Sequence, residues 1–153
     1  MRVPLLVFAS FCTAATCAQA AVTVTHGDPD RFTDAGDRSN DPVKIMQAID
    51  LHLKRLGERY LPEGTDLRIE VIDIDRAGRT RMDLPTEMRV INGKVDMPCI
   101  ELRYEVAGAA PAKAERVCDP AFLRPLGMRD SENDPLVYEK RMLEEWFKAR
   151  FAK

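Results

Sequence analysis

The sequence is poor in the residues that usually announce chemistry. It has two histidines, His26 and His52, and a single tryptophan, Trp146. It contains no G-x-S-x-G, no H-E-x-x-H and no glycine-rich phosphate loop, so the signatures of serine hydrolases, zincins and nucleotide-binding folds are missing. No stretch after residue 20 is apolar enough to span a bilayer. An excess of one charge sign is also lacking. Lys and Arg number 23 against 25 Asp and Glu, a net charge of −2, which argues against nucleic acid as the main partner. Cysteine is scarce, with four in the chain. Cys99 and Cys118 lie too far apart for a C-x-x-C redox motif and match no zinc spacing. What the chain does have is 31% charged and 45% hydrophobic residues in regular patterns, which speaks against disorder beyond the loops.

Residues 1–20 read as a signal peptide. Arg2 supplies a short positive start, Val3 to Phe11 is apolar, and Ala18-Gln19-Ala20 fits a small-x-small cleavage site with Ala21 as the mature start. Ala14-Ala15-Thr16 before Cys17 is a poor lipoprotein box, because it lacks the usual Leu. A soluble exported protein is therefore expected rather than a lipoprotein, with a single domain over residues 21–153. Removal of the leader takes away Cys12 and Cys17 and leaves Cys99 and Cys118 in an oxidising compartment, where a pair is presumed bridged.

Periodicity then predicts the elements in order. Ala21 to Thr25 (AVTVT) is a short β-branched strand. Residues 26–42 are rich in Asp, Gly, Ser and Pro and form a long loop. Asp41-Pro42 opens a helix to about Leu61, with Ile45, Ile49, Leu53, Leu56 and Tyr60 as its apolar stripe. Leu67 to Ile74 is the clearest strand: Leu67, Ile69 and Val71 share one face before Ile72 and Ile74. Residues 75–85 read as a polar, basic loop, 87–91 as a weak strand, and Asn92-Gly93 as a turn. Ile100, Leu102, Tyr104 and Val106 alternate with charged residues in a half-buried strand, and 112–118 forms its hairpin partner. Phe122 and Leu123 are expected to tuck the following irregular stretch onto the core. Asp134-Pro135 repeats the cap-plus-proline signal and opens a helix to Phe151. There Leu136, Leu143, Phe147 and Phe151 make one face, with Tyr138, Met142 and Trp146 on its flank. Glu139 and its charged neighbours fill the rest. The fold class is α+β: two layers in the order β-α-β-β-β-β-α, a sheet of about five strands with both helices on one face.

The hairpin register can be argued. With Gly108-Ala109 as a two-residue turn and Gly in the first central position, Ala107 pairs with Ala110. Counting back, Glu101 meets Arg116, Ile100 meets Val117 and Cys99 meets Cys118. One register thus yields an opposite-charge pair, an apolar pair and a pair placed for a disulfide on the outer face of the sheet.

The strongest candidate for chemistry is the acid-rich loop 26–41. His26, Asp28, Asp30, Asp34 and Asp37 could offer ligands to a calcium-type cation, with Asn40 and Asp41 nearby. The spacing is not an EF-hand, since Phe32 stands where a third ligand belongs, and each acid has an ordinary use in a turn or a helix cap. A His–Asp pair could also serve as a general base or join a metal site. His52, one place before Leu53, reads as a partly buried structural residue. Arg76, Arg79 and Arg81, with Arg89 beyond, form a basic run that could meet a partner; the competing reading is a solvated loop balanced by Asp73, Asp75 and Asp83. Trp146 is either an interface anchor or part of the core.

Three stretches, DPDRFTDAGDRS at 28–39, IELRY at 100–104 and DPLVYEKRMLEEWF at 134–147, together resemble the bacterial family known as domain of unknown function 3016. The resemblance covers nearly all of the chain after the leader. It implies a small exported, periplasmic protein and carries over no catalytic residues. The expected function is that of a non-enzymatic binding or interaction protein of the cell envelope, meeting an envelope protein or a small ligand. The alternatives are a metal-dependent hydrolase or calcium-binding protein using loop 26–41, and a small-ligand carrier.

Overall fold

A computed structural model describes residues 20–37, 40–81, 88–109, 111–125, 127 and 134–152. The leader expected over 1–20 lies outside the described residues apart from Ala20, as does the expected Ala107–Ala110 pairing. Four strands form the main sheet in the order β1-β2-β5-β6: β1 (Ala21–His26), β2 (Asp66–Asp75), β5 (Cys99–Val106) and β6 (Lys113–Cys118). β1 runs parallel to β2, and the other neighbours are antiparallel. Two further short strands, β3 (Arg79–Arg81) and β4 (Met88–Val90), pair only with each other. The α+β architecture therefore holds, but the sheet of about five strands is divided into four plus a two-stranded ribbon. Arg79-Thr80-Arg81 has no apolar alternation, so nothing in its sequence marked β3 as a strand.

The parallel pair needs a crossover, and α1 (Pro42–Tyr60) supplies it. Asp41 starts the helix by accepting the Val43 N–H at 2.9 Å, with Pro42 in the first position. Its stripe of Ile45, Ile49, Leu53 and Leu56 is buried against the sheet. Gly57 sets how closely helix and sheet meet: a Cβ there would lie 2.1 Å from Val22 Cγ2. Only glycine permits that approach, so β1 and the last turn of α1 are in effect interlocked.

On β2, Leu67, Ile69 and Val71 face the helices. The ladder to β5 then slips between Val71 and Asp73, so that Ile74 pairs with Ile100 and returns to the buried face. This bulge is why the apolar positions change from odd to even numbers along the strand. β5 and β6 take the expected register, with Cys99 opposite Cys118, Ile100 opposite Val117 and Glu101 opposite Arg116. The reversal differs. Ala109 N–H donates to Val106 O at 3.0 Å, so Gly108 (φ 76°) sits in the second central position rather than the first.

Cys99 and Cys118 are joined by a disulfide, with Cα atoms 4.2 Å apart. Cys99 is on the face opposite Ile100, as expected, yet it is buried. The bridge closes a loop of moderate length, and such a crosslink restricts the unfolded chain by about 2–4 kcal/mol. Reduction should lower the urea midpoint accordingly, and intact mass should rise by two hydrogens. Two free thiols in protein recovered from the exported fraction would contradict the assignment.

The last helix, α2 (Val137–Phe151), begins later than Asp134-Pro135 suggested. Asp134 Oδ1 accepts the Leu136 N–H at 3.0 Å and its carbonyl accepts the Val137 N–H at 3.1 Å. The Asp-Pro pair thus caps a turn that feeds the helix. Leu136, Val137, Met142, Leu143, Trp146 and Phe147 are buried, and so is Glu139, which the charge pattern had placed on the solvent side. Phe122 is buried edge-on against Tyr138 at 5.3 Å, whereas Leu123 stays exposed. The two helices meet through Tyr60, whose hydroxyl donates to Glu144 Oε1 at 2.8 Å, and through His52, whose Nε2 lies 2.8 Å from the Lys140 carbonyl. Burial lowers the pKa of His52 below the ordinary imidazole value. No helix among the described residues is long and apolar enough to cross a membrane.

Candidate functional site

The acid-rich loop folds back along the end of β2. Asp28 accepts the Asp30 N–H at 3.1 Å and caps a single 3-10 turn, Pro29–Arg31. Thr33 then binds Asp73 twice, backbone N–H to Oδ1 at 2.6 Å and hydroxyl to Oδ2 at 2.8 Å. Asp34 N–H donates to Ile74 O at 2.7 Å, forming one parallel bridge beside Asp75. Asp37 accepts the Asn40 N–H at 2.8 Å and the Asn40 side-chain amide at 3.0 Å. These contacts deliver Asp34 and Asp37 to the point where β2 ends and Arg76 begins the next turn.

Arg76 is the centre of what they build. Its side chain is 1% exposed. Nη2 donates to Asp34 Oδ1 at 3.0 Å and to Asp37 Oδ2 at 2.9 Å, and Nε reaches the Asp34 carbonyl at 3.3 Å. Arg89 of β4 closes the far side. It pairs with Asp34 Oδ2 and donates to the Arg76 carbonyl at 3.0 Å and the Gly78 carbonyl at 2.9 Å. Thr80 adds a hydroxyl to Asp37 Oδ2 at 3.2 Å. Burial alone would raise the Asp37 carboxyl. The hydrogen bonds from Asn40 and Arg76, with the charge of Arg76, outweigh it and hold the group below its usual pKa.

Above this network lies an open cleft of about 500 Å³. Its walls are Thr33 to Asp37 on one side, Gly78 to Thr80 on another, and Val95 to Met97 on the third. The third wall is fixed by Asp96, which accepts Arg79 Nε at 3.1 Å and the Asn92 N–H at 2.7 Å, while its carbonyl accepts the Gly78 N–H at 3.0 Å. Asn92-Gly93 is thus the start of a 3-10 turn, Gly93–Asp96, rather than a hairpin turn. Asp75, also on the wall, is raised by burial; Arg116 opposes the rise, while Asp34 and Asp73 add to it. At the rim the Arg79 side chain is 77% exposed and Val95 is 78% exposed.

The structure sorts the sequence candidates into separate places. Asp34 and Asp37 come together, but on two arginines. Asp28 caps a turn, Asp30 is exposed at its surface, and His26 lies 3.1 Å from Asp50 of α1 through Nε2. Among the described residues no three His, Cys, Asp or Glu side chains are grouped so as to hold a metal ion. Arg76 is interior, Arg79 is at the cleft rim and Arg81 is exposed. Trp146 is in the core, ringed by Tyr104, Phe147 and Phe151. Sequence reasoning missed Asp50, Asp96 and Glu139 as site residues, and saw Arg89 only as the end of a basic run. One signal for Glu139 was present: it stands three residues after Leu136 and four before Leu143, on the apolar stripe itself.

A family model described as "Protein of unknown function (DUF3016)" matches residues 20–149. No curated protein and no solved structure matches the chain.

Proposed function

The chain belongs to the DUF3016 family, and from that footing we propose that it is an exported, non-enzymatic binding protein that presents the cleft above Arg76 to a component of the cell envelope. One observation carries this reading: the cleft stands on a buried ion network. Buried ion pairs rarely add net stability over apolar residues of the same size. What the network does is tie the loop at 34–37, the turn at 76–80 and Arg89 of β4 to one another, and a surface fixed before binding loses less freedom on binding. Each acid of the cleft already has a partner that holds it. Asp34 and Asp37 are engaged by Arg76 and Arg89, Asp96 by Arg79, and Asp75 faces Arg116 at 3.6 Å. The exposed chemistry is at the rim, where the Arg79 guanidinium, which faces water while its Nε holds Asp96, and the Val95 side chain offer charge and apolar surface, a combination suited to a protein partner. Export is supported by the leader pattern and by a disulfide, which persists in oxidising compartments.

The test is capture in living cells. A C-terminally tagged chain is crosslinked in the envelope and its companions are identified by mass spectrometry. The expected result is one near-stoichiometric protein partner, with recovery cut at least about tenfold by Arg79→Glu combined with Val95→Asp, the scale of one or two rim contacts at roughly 1.4 kcal/mol per decade. Recovery of no partner, or equal recovery by the variant, would rule this reading out.

A further inference from the structure

Glu139 has no part in that binding surface, yet its carboxyl is joined to the surface's wall. Its side chain is 1% exposed. Oε1 accepts the Ala77 N–H at 2.7 Å, while Oε2 is buried without a hydrogen-bond partner among the described residues. Arg76 Nη1 is buried in the same condition. A carboxyl on α2 therefore holds the turn that leads into Gly78, Arg79 and Thr80, the residues of one cleft wall.

Among the described residues, the charged groups around it come from several segments. Arg76 comes from the turn after β2 and Arg89 from β4; behind both stand Asp34 and Asp37 of the loop before α1. On α2 itself, Lys140 turns to Asp134 and Arg141 to the Phe122 carbonyl. From α1, His52 meets the Lys140 carbonyl rather than the carboxyl. Ionised, Glu139 would leave Oε2 as a carboxylate oxygen held from water with no hydrogen-bond partner among the described residues, while Arg76 and Arg89 already pair with Asp34 and Asp37. An uncompensated buried charge is costly, and the group's usual response is to keep its proton. Burial does push the Glu139 carboxyl up, against the Ala77 N–H and the charges of Arg89 and Arg76.

We propose that Glu139 is a proton-operated latch between α2 and the wall of the cleft. With its proton, the carboxyl holds the Ala77-Gly78 turn against α2. Without it, conformations in which the carboxylate reaches water are favoured, and the wall parts from the helix. The sign follows from linkage: a carboxyl whose folded-state pKa is raised stabilises the closed form at low pH, and that contribution is lost as pH rises towards the folded-state value. The latch borrows only its location from the binding reading. The experiment below observes the wall itself, so a cleft that captures no partner leaves it standing.

The experiment combines carboxyl-carbon NMR titration of Glu139 with amide hydrogen exchange at Ala77 to Thr80, in the wild type and in Glu139→Gln. The expected result is that Glu139 stays protonated after exposed glutamates have ionised. Over that interval wall exchange, corrected for its intrinsic pH dependence, should rise by about tenfold per pH unit, then level off once Glu139 titrates. Glu139→Gln, which keeps the shape but cannot ionise, should give a flat profile. Ionisation of Glu139 together with the exposed glutamates, or the same rise in Glu139→Gln, overturns the latch. If the variant does not fold, the wild type decides alone: exchange that fails to level off where Glu139 titrates also overturns it.

Discussion

Arg76→Ala should cost about 3–5 kcal/mol of unfolding free energy, because it removes one partner from a buried ion network and leaves the other charges behind. Asp34 and Asp37 lose their 3.0 Å and 2.9 Å contacts, and Arg89, already shared among Asp34 and the backbone carbonyls of Arg76, Ala77 and Gly78, becomes their main counter-charge among the described residues. Arg76→Lys should recover only part of the loss. One ammonium cannot reproduce a fork that reaches Asp34 Oδ1, Asp37 Oδ2 and the Asp34 carbonyl together. Urea unfolding followed by the fluorescence of the single tryptophan measures both variants. The effect should depend on pH. Asp37 has a depressed carboxyl in the folded protein, so its contribution is present above the ordinary aspartate value and fades as pH falls through the folded one. The gap between wild type and Arg76→Ala should therefore narrow in acid. A loss below about 1 kcal/mol, the range of exposed pairs, would mean that water reaches the network.

Trp146→Ala is the second large change, at about 3–5 kcal/mol for truncation of a buried aromatic ring. Trp146 is 6% exposed and makes edge-to-face contacts with Tyr104 at 5.4 Å, Phe151 at 5.7 Å and Phe147 at 6.0 Å. Its Nε1–H donates to Glu115 Oε2 at 3.2 Å, an oxygen that Arg150 also engages at 3.2 Å. Alanine would leave a cavity between β6 and α2 and remove one of the donors to a half-buried carboxylate. Trp146→Phe should lose less, since it keeps a ring for the Tyr104 contact and forfeits the hydrogen bond. Far-UV circular dichroism in urea is the readout, because the change deletes the only tryptophan. Wild-type stability with loss of a captured partner would move Trp146 from the core to an interface.

Parts of the molecule that depend on near neighbours were legible in the chain. The stripe Ile45, Ile49, Leu53, Leu56 needs only the helical period, and the Asp41 cap only the next two residues. The Cys99–Cys118 register followed from pairing rules across one hairpin, although the turn that joins its strands was placed one residue too far along. The site was less legible because its charges meet across long separations. Arg76 finds Asp34 and Asp37 about forty residues back, and Glu139 finds Ala77 more than sixty residues back. A run such as Asp73, Asp75, Arg76, Arg79 and Arg81 carries no mark of which member turns inward, so a solvated loop was the natural reading. Glu139 was read with the solvent-facing charges, although its place between Leu136 and Leu143 conflicted with its charge, and such a conflict points to a buried acid.

The disulfide also gives the protein a mechanical character. The bridge ties the open end of the β5–β6 hairpin, the end opposite its turn. A load applied between the chain ends would cross from Cys99 to Cys118 through sulfur and bypass the residues between. Nineteen residues of separation, at about 3.3–3.6 Å each, remove roughly 65 Å from the length the oxidised chain can reach. The hairpin thus stays a closed ring under tension, and the force falls on the links around it: β1 against β2, α1 over their crossover, and α2 against the sheet.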